Sequence, residues 1–306
     1  MPAALETDRL SRSYGRTEAV KDLTLAVPEG SVFAFVGPNG AGKTTTIKTA
    51  MNLLEPSAGR ATVLGTDSRR LGPADLRQIG YVSENQDLPD WMTVRQLVSY
   101  LKLLYPSWDP VFAASLARQF DLPPDRPLKA LSRGMKMKAA LLGSLAYRPR
   151  LLVMDEPFAG LDALVRDELI QGVLELTQQE RWTVFISSHD IDEVERLADW
   201  IGIINEGRLY SSEPVSSMLA RFRQVEVIVA ADASLPSPLP ASWLLAESSA
   251  RTVRFVDSAF DDETERRVRT VWPAATSVTA TPLSLRNIFV TLARTWRLSS
   301  PAKEAL

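Results

Sequence analysis

GPNGAGKTT, Gly37 to Thr45, lies directly after the apolar run SVFAFV and opens the helical pattern TTTIKTAMNLL. Gly-x-x-x-x-Gly-Lys-Thr between a buried strand and a helix is the form of a phosphate-binding loop. The glycines let backbone N–H groups approach a polyphosphate, and the helix N-terminus adds partial positive charge. Gly37, Pro38, Asn39, Gly40, Ala41, Gly42, Lys43, Thr44 and Thr45 are the candidate cradle. Lys43 would bridge the β- and γ-phosphates, and the Thr44 hydroxyl would ligate Mg²⁺. The motif points to nucleotide binding without saying what it is for.

Downstream, LLVMDEP, Leu151 to Pro157, is a buried-strand run that ends in two carboxylates. Side chains alternate across a strand, so Asp155 and Glu156 cannot share one role. Asp155 suits support of Mg²⁺, and Glu156 suits polarising an attacking water as general base. Pro157 then turns the chain. Up to about residue 220, short β-rich runs alternate with helical stretches, the pattern of a parallel sheet covered by helices. After FRQ the texture changes to a small α/β appendage that includes the loop SLPSPLPAS and the helical pattern LRNIFVTLARTW.

Composition narrows the classes. A formal charge of -2 provides no bulk positive field for nucleic acid or an anionic membrane surface. With no cysteine and one histidine, disulfides, thiolate metal sites and a zinc centre are excluded or disfavoured. No run reaches the roughly 18 to 20 apolar residues that span a bilayer, and the polar N-terminus does not read as a signal peptide. The expectation is a cytoplasmic protein, and any action at a membrane requires another subunit as anchor.

LSRGM, Leu131 to Met135, opens a helix before the acidic strand; AGLD, ending at Asp162, follows that strand; and TVFISSHD carries His189, the lone histidine. Alone, Ser-x-Gly before a helix is an ordinary cap, and a lone histidine is an ordinary packed residue. In this order with the phosphate loop and the acidic strand, the series resembles the nucleotide-binding subunit of ATP-binding-cassette (ABC) transporters over about residues 5 to 220.

The resemblance implies a P-loop ABC cassette over residues 1–220, with a mixed sheet core, an antiparallel β subdomain and a helical subdomain at about 87–145. A small α/β accessory domain at 221–306 follows, as in exporter-type members with a C-terminal extension. Tyr14 would stack on adenine, an interaction worth ~1 to 3 kcal/mol per base. Ser132 and Gly134 would meet the γ-phosphate of ATP held by a second cassette, and Asp162 would contact that second subunit. His189 would reach the γ-phosphate, with Lys43 and Glu156 completing the catalytic group. Two departures stand out. Arg133 and Met135 replace a glycine and a glutamine of the signature, and the family's Mg²⁺-ligating glutamine aligns with Glu84, with Gln86 two residues later as the alternative. A carboxylate is also a good hard ligand for Mg²⁺.

The function so implied is that of an ATP-hydrolysing subunit that powers a separate transmembrane permease from the cytoplasmic face, with ATP and Mg²⁺, in a dimer with a copy or homologue. Export of a drug, peptide or lipid-like cargo is the expected direction. Trp91, Met92, Tyr105 and Trp108 cluster around the ends of a predicted helix and are candidates for a groove that receives the permease. The competing class is a soluble cassette ATPase of DNA maintenance or translation. It is disfavoured because no long coiled coil separates the phosphate loop from the signature and only one cassette is present.

Overall fold

The computed structural model describes residues 2–84, 86–180, 182–230 and 234–299. The chain forms two compact units, Met1–Ser212 and Glu213–Leu306. The division therefore falls after Ser212 rather than after residue 220, because the helix Val215–Arg221 groups with the following strands.

In the first unit, Ala3–Tyr14 (β1) and Thr17–Pro28 (β2) pair as an antiparallel hairpin turned at Gly15. Val32–Val36 (β3) is buried along its whole length, as expected for a strand covered on both faces. Lys43–Ala50 (α1) follows the phosphate loop. Ala58–Val63 (β4) and Thr66–Asp67 (β5) then complete a four-stranded sheet in the order β2-β1-β4-β5. A single turn, Pro73–Leu76 (α2), leads into Ile79–Ser83 (β6).

Three helices occupy the region expected to be helical: Val94–Leu104 (α3), Pro110–Gln119 (α4) and Arg133–Leu145 (α5). Thr93 caps α3 in a capping box with Gln96, and the Asp109 carboxylate accepts from the first N–H groups of α4. These caps satisfy donors that a helix start leaves unpaired. The chain returns to the sheet through Leu151–Asp155 (β7), Ala163–Glu180 (α6), Thr183–Ser188 (β8), Ile191–Leu197 (α7) and the hairpin of Trp200–Asn205 (β9) with Arg208–Pro214 (β10).

The central sheet has the order β10-β9-β3-β8-β7-β6, and β9, β3, β8, β7 and β6 run parallel. In its core Phe185 packs with tilted rings against Phe33 and Phe35, at centroid distances of 5.7 and 5.6 Å. The loops that follow β3, β7 and β8 all leave from the carboxyl ends of adjacent parallel strands. This is where open α/β sheets bind ligands.

The second unit begins with Val215–Arg221 (α8) and Arg223–Val229 (β11). Trp243–Ser249 (β12), Thr252–Asp257 (β13), Thr264–Val271 (α9), Ala275–Pro282 (β14) and Leu285–Ser299 (α10) complete it. Its sheet has the order β12-β13-β11-β14 and is antiparallel. Trp243 stacks on Phe255 at 4.2 Å and on Trp272 at 5.5 Å, which gives this unit its own core. As the spacing of Leu285, Ile288, Phe289 and Leu292 predicts, α10 packs on its own sheet, against β12. Leu285, Ile288 and Leu292 are buried, and Phe289 is half-buried with its ring edge-on to Trp296.

Candidate functional site

The phosphate loop turns between β3 and α1 with its backbone closely constrained. A Cβ on Gly42 would lie 2.5 Å from the Ala19 carbonyl, and Gly42 has φ +109°, a conformation that side chains avoid. Gly37 is equally tight, with the Ile204 carbonyl 2.2 Å from where its Cβ would stand. No side chain caps α1, so the N–H groups of its first turn, from Lys43 to Thr45, face the loop. That end of the helix suits an anion. Pro38, Asn39, Gly40 and Ala41 form the turn itself, closed by the Ala41 N–H donating to the Pro38 carbonyl at 3.1 Å.

Lys43 is 5% exposed, and its Nζ donates to the Gly37 carbonyl at 2.7 Å. The same Nζ stands 3.1 Å from Glu156 Oε1. The other Glu156 oxygen, Oε2, accepts from His189 Nδ1 at 2.7 Å. The three expected catalytic side chains, Lys43, Glu156 and His189, are therefore one bonded group, although they come from the start of α1 and from the turns after β7 and β8. Glu156 holds φ +50°, outside its strand's conformation. Its N–H donates to Ser187 Oγ at 3.0 Å, which anchors the turn.

Asp155, buried at the end of β7, accepts from Thr44 Oγ1 at 3.1 Å and from Ser187 Oγ at 2.6 Å, both at Oδ1. Burial raises its carboxyl above the ordinary aspartate range, and the hydrogen bonds from Ser187 and Thr44 work against that. A hydroxyl and a carboxylate brought together next to a phosphate cradle fit Mg²⁺, a hard cation that takes one or two protein oxygens plus phosphate. Among the described residues there is no cluster of three or more His, Cys, Asp or Glu side chains able to hold a metal. Glu84 lies beside Asp155, its N–H donating to the Asp155 carbonyl at 2.9 Å and its Oε1 taking a bond from Arg133 Nη2 at 2.9 Å. Gln86 instead uses its side-chain oxygen on the Ser83 N–H at 3.4 Å.

Ser132, Gly134 and Asp162 make a second group. Ser132 caps α5 through the Met135 N–H, and Asp162 Oδ1 accepts from the Val165 N–H. A Cβ on Gly134 would meet Val165 at 2.5 Å, and one on Gly160 would meet the Arg133 guanidinium at 2.7 Å. The start of α5 is thereby packed on the turn before α6. Ser132 and Asp162 are both exposed, and among the described residues no hydrogen bond joins them to the phosphate loop. Tyr14 ends β1 opposite Thr17, on the hairpin whose second strand touches Gly42 through Ala19. Its ring is 46% exposed, with the Arg12 guanidinium 4.9 Å over one face.

The aromatic cluster on the helical region divides. Trp91 is 75% exposed, whereas Met92 and Trp108 are buried and Tyr105 stacks on Tyr147 at 3.9 Å. The exposed apolar side chains there include Trp91, Tyr100, Leu103, Leu104 and Val111. Met92 and Trp108 belong to packing, and Tyr105 is half-buried against Tyr147. Ser187 escaped the sequence reading. Its signal was available, as a hydroxyl at the end of the strand that carries the lone histidine.

The family described as ABC transporter matches residues 20–159. The chain is 26% identical to the ABC transporter ATP-binding protein YtrB of Bacillus subtilis (strain 168), over 76% of this chain and 79% of that one. It is 32% identical to the sulfate/thiosulfate import ATP-binding protein CysA of Yersinia pestis, over 67% of this chain but 59% of CysA. Among solved structures, CbiO1 from Clostridium perfringens, described as part of the ABC transporter complex cbiONQ, superposes with a TM-score of 0.62. That match has 28% identity and covers 72% of this chain and 92% of CbiO1. With the phosphate loop, acidic strand and lone histidine assembled on this fold, the chain belongs to the ATP-binding subunits of ABC transporters, a family of ATPases that couple hydrolysis to transport.

Proposed function

We propose that this chain binds and hydrolyses Mg²⁺-ATP in a dimer of cassettes and drives a separate transmembrane permease from the cytoplasmic face. The observation that carries the reading is the Lys43–Glu156–His189 group. Glu156 stands between a cation and an imidazole, which hold its carboxylate oriented at the mouth of the phosphate loop. A γ-phosphate in the cradle competes for Lys43 and leaves Glu156 free to take a proton from an attacking water. His189 keeps the carboxylate aimed. Thr44 and Asp155, with Glu84 beside them, would hold Mg²⁺, which neutralises developing charge on the phosphates. Tyr14 offers an exposed ring for the base.

The exposed pair Ser132 and Asp162 supports a site completed by a second copy. Among the described residues no helix is long and apolar enough to cross a membrane, so transport by this chain needs a permease. The exposed patch of Trp91, Tyr100, Leu103 and Leu104 is its proposed seat. Export is proposed from the compact cassette, the region from WMTV to YPSWDP and the C-terminal unit taken together; CysA, an import protein by name, gives it no support. ATP-dependent uptake of a fluorescent amphiphile into inside-out vesicles holding chain and permease would favour export, and uptake only in right-side-out vesicles would exclude it.

Mixing two inactive variants tests the shared site. Glu156→Gln lacks the base and Ser132→Arg blocks the signature, so a mixed dimer regains one intact composite site. Phosphate release from the mixture is expected to exceed that of either variant alone; a mixture as inactive as its parts contradicts the shared site.

A further inference from the structure

Asp162 and His189 lie on different loops, one before α6 and the other after β8. Arg166 reaches both. It sits one turn into α6, where its N–H donates to the Asp162 carbonyl at 3.0 Å. Its guanidinium donates through Nη2 to the Leu161 carbonyl at 3.3 Å and through Nη1 to Asp190 Oδ2 at 3.1 Å. Its Nε lies 3.5 Å from Glu193 Oε1. The other Glu193 oxygen accepts from Ser188 Oγ at 2.7 Å. Ser188 and Asp190 are the immediate neighbours of His189, so both sides of the histidine are tied to a network that ends on Arg166.

We propose that Arg166 is a positioning residue for hydrolysis, holding the Asp162 turn and the His189 turn in one arrangement. The inference rests on the roles given above to those two residues. The planar fork of a guanidinium makes it possible: two directed hydrogen bonds, to a carbonyl and to the Asp190 carboxylate, leave one group that also forms an ion pair with Glu193, and an ammonium cannot reproduce them. Misplacement of a catalytic group by an ångström is enough to cost about a hundredfold in rate. The competing explanation is that Arg166 merely neutralises Glu193, whose side chain is 8% exposed. Burial raises the Glu193 carboxyl above the ordinary range, so an unpaired carboxylate there is costly.

The two explanations separate in a set of full-length variants: Arg166→Lys, Arg166→Met, Glu193→Gln, Arg166→Met with Glu193→Gln, and His189→Ala with and without Arg166→Met. Thermal midpoint, affinity for a fluorescent ATP analogue and kcat are measured for each. Arg166→Met and Arg166→Lys are expected to lose at least about tenfold in kcat with affinity within about threefold. The Arg166→Met, Glu193→Gln pair removes the buried charge, so it regains the thermal midpoint while kcat stays low. Added to His189→Ala, Arg166→Met is expected to cost little more, because both act on one unit. Wild-type kcat in the Arg166→Met, Glu193→Gln pair, or full additivity with His189→Ala, overturns the proposal. Wild-type kcat in His189→Ala alone removes the role of His189, and this inference falls with it.

Discussion

At the residue scale the site is a set of short bonds between groups far apart in the chain, and two of them invite direct tests. Glu84 is attached by its backbone to the end of β7 and by its side chain to Arg133, whereas Gln86 closes a local turn. Glu84→Gln and Gln86→Ala, titrated with Mn²⁺ by electron paramagnetic resonance in the presence of ATP, should differ. The Glu84 variant is expected to weaken metal binding about tenfold, in the range of losses seen for ligand-shell changes, and Gln86→Ala to leave it near wild type. The reverse order assigns the metal to Gln86. Asp155 gives a pH prediction. Its folded pKa is raised above the unfolded value, so between the two the folded state holds the extra proton. Its contribution to stability is therefore highest below the unfolded value and falls as pH rises through that window. Asp155→Asn, which keeps an acceptor for Thr44 and Ser187, is expected to raise the thermal midpoint at pH 7 and to abolish hydrolysis. A lowered midpoint would show that the carboxylate stabilises the fold.

At the element scale, the strands and the phosphate loop were legible because their chemistry is local. A run such as LLVMDEP fixes a buried strand and what stands at its end. The ion pair between Arg133 and Glu84, the bond from Ser187 to Asp155 and the fork of Arg166 were not legible, since each joins segments whose approach depends on how the sheet is ordered. The helical region shows the same limit. The sequence groups Trp91, Met92, Tyr105 and Trp108 around the ends of one helix, but only the folded chain tells exposed Trp91 from buried Met92 and Trp108. Within the sheet, Phe185 lies between Phe33 and Phe35 and is fully buried. Phe185→Ala is expected to cost about 3 to 5 kcal/mol, read as a shift of the urea midpoint. A loss under about 1 kcal/mol would place the core elsewhere.

At the scale of the whole molecule, the cassette and the second unit each carry their own core, and the Lys43–Glu156–His189 group lies entirely within Met1–Ser212. The division into units falls after Ser212, so α8 belongs to the second unit. Its place in the second unit is set by contacts such as that of Arg221 with the Ser258 carbonyl. A subunit that harvests ATP must combine binding with turnover at one carboxylate. Steady-state phosphate release from Mg²⁺-ATP by the wild-type chain and by Glu156→Gln tests this most directly. The wild type is expected to turn over, and Glu156→Gln to be slower by about 10²- to 10⁴-fold, the range of a general base. Equal rates in the two proteins would contradict the assignment of Glu156 and the chemistry built on it.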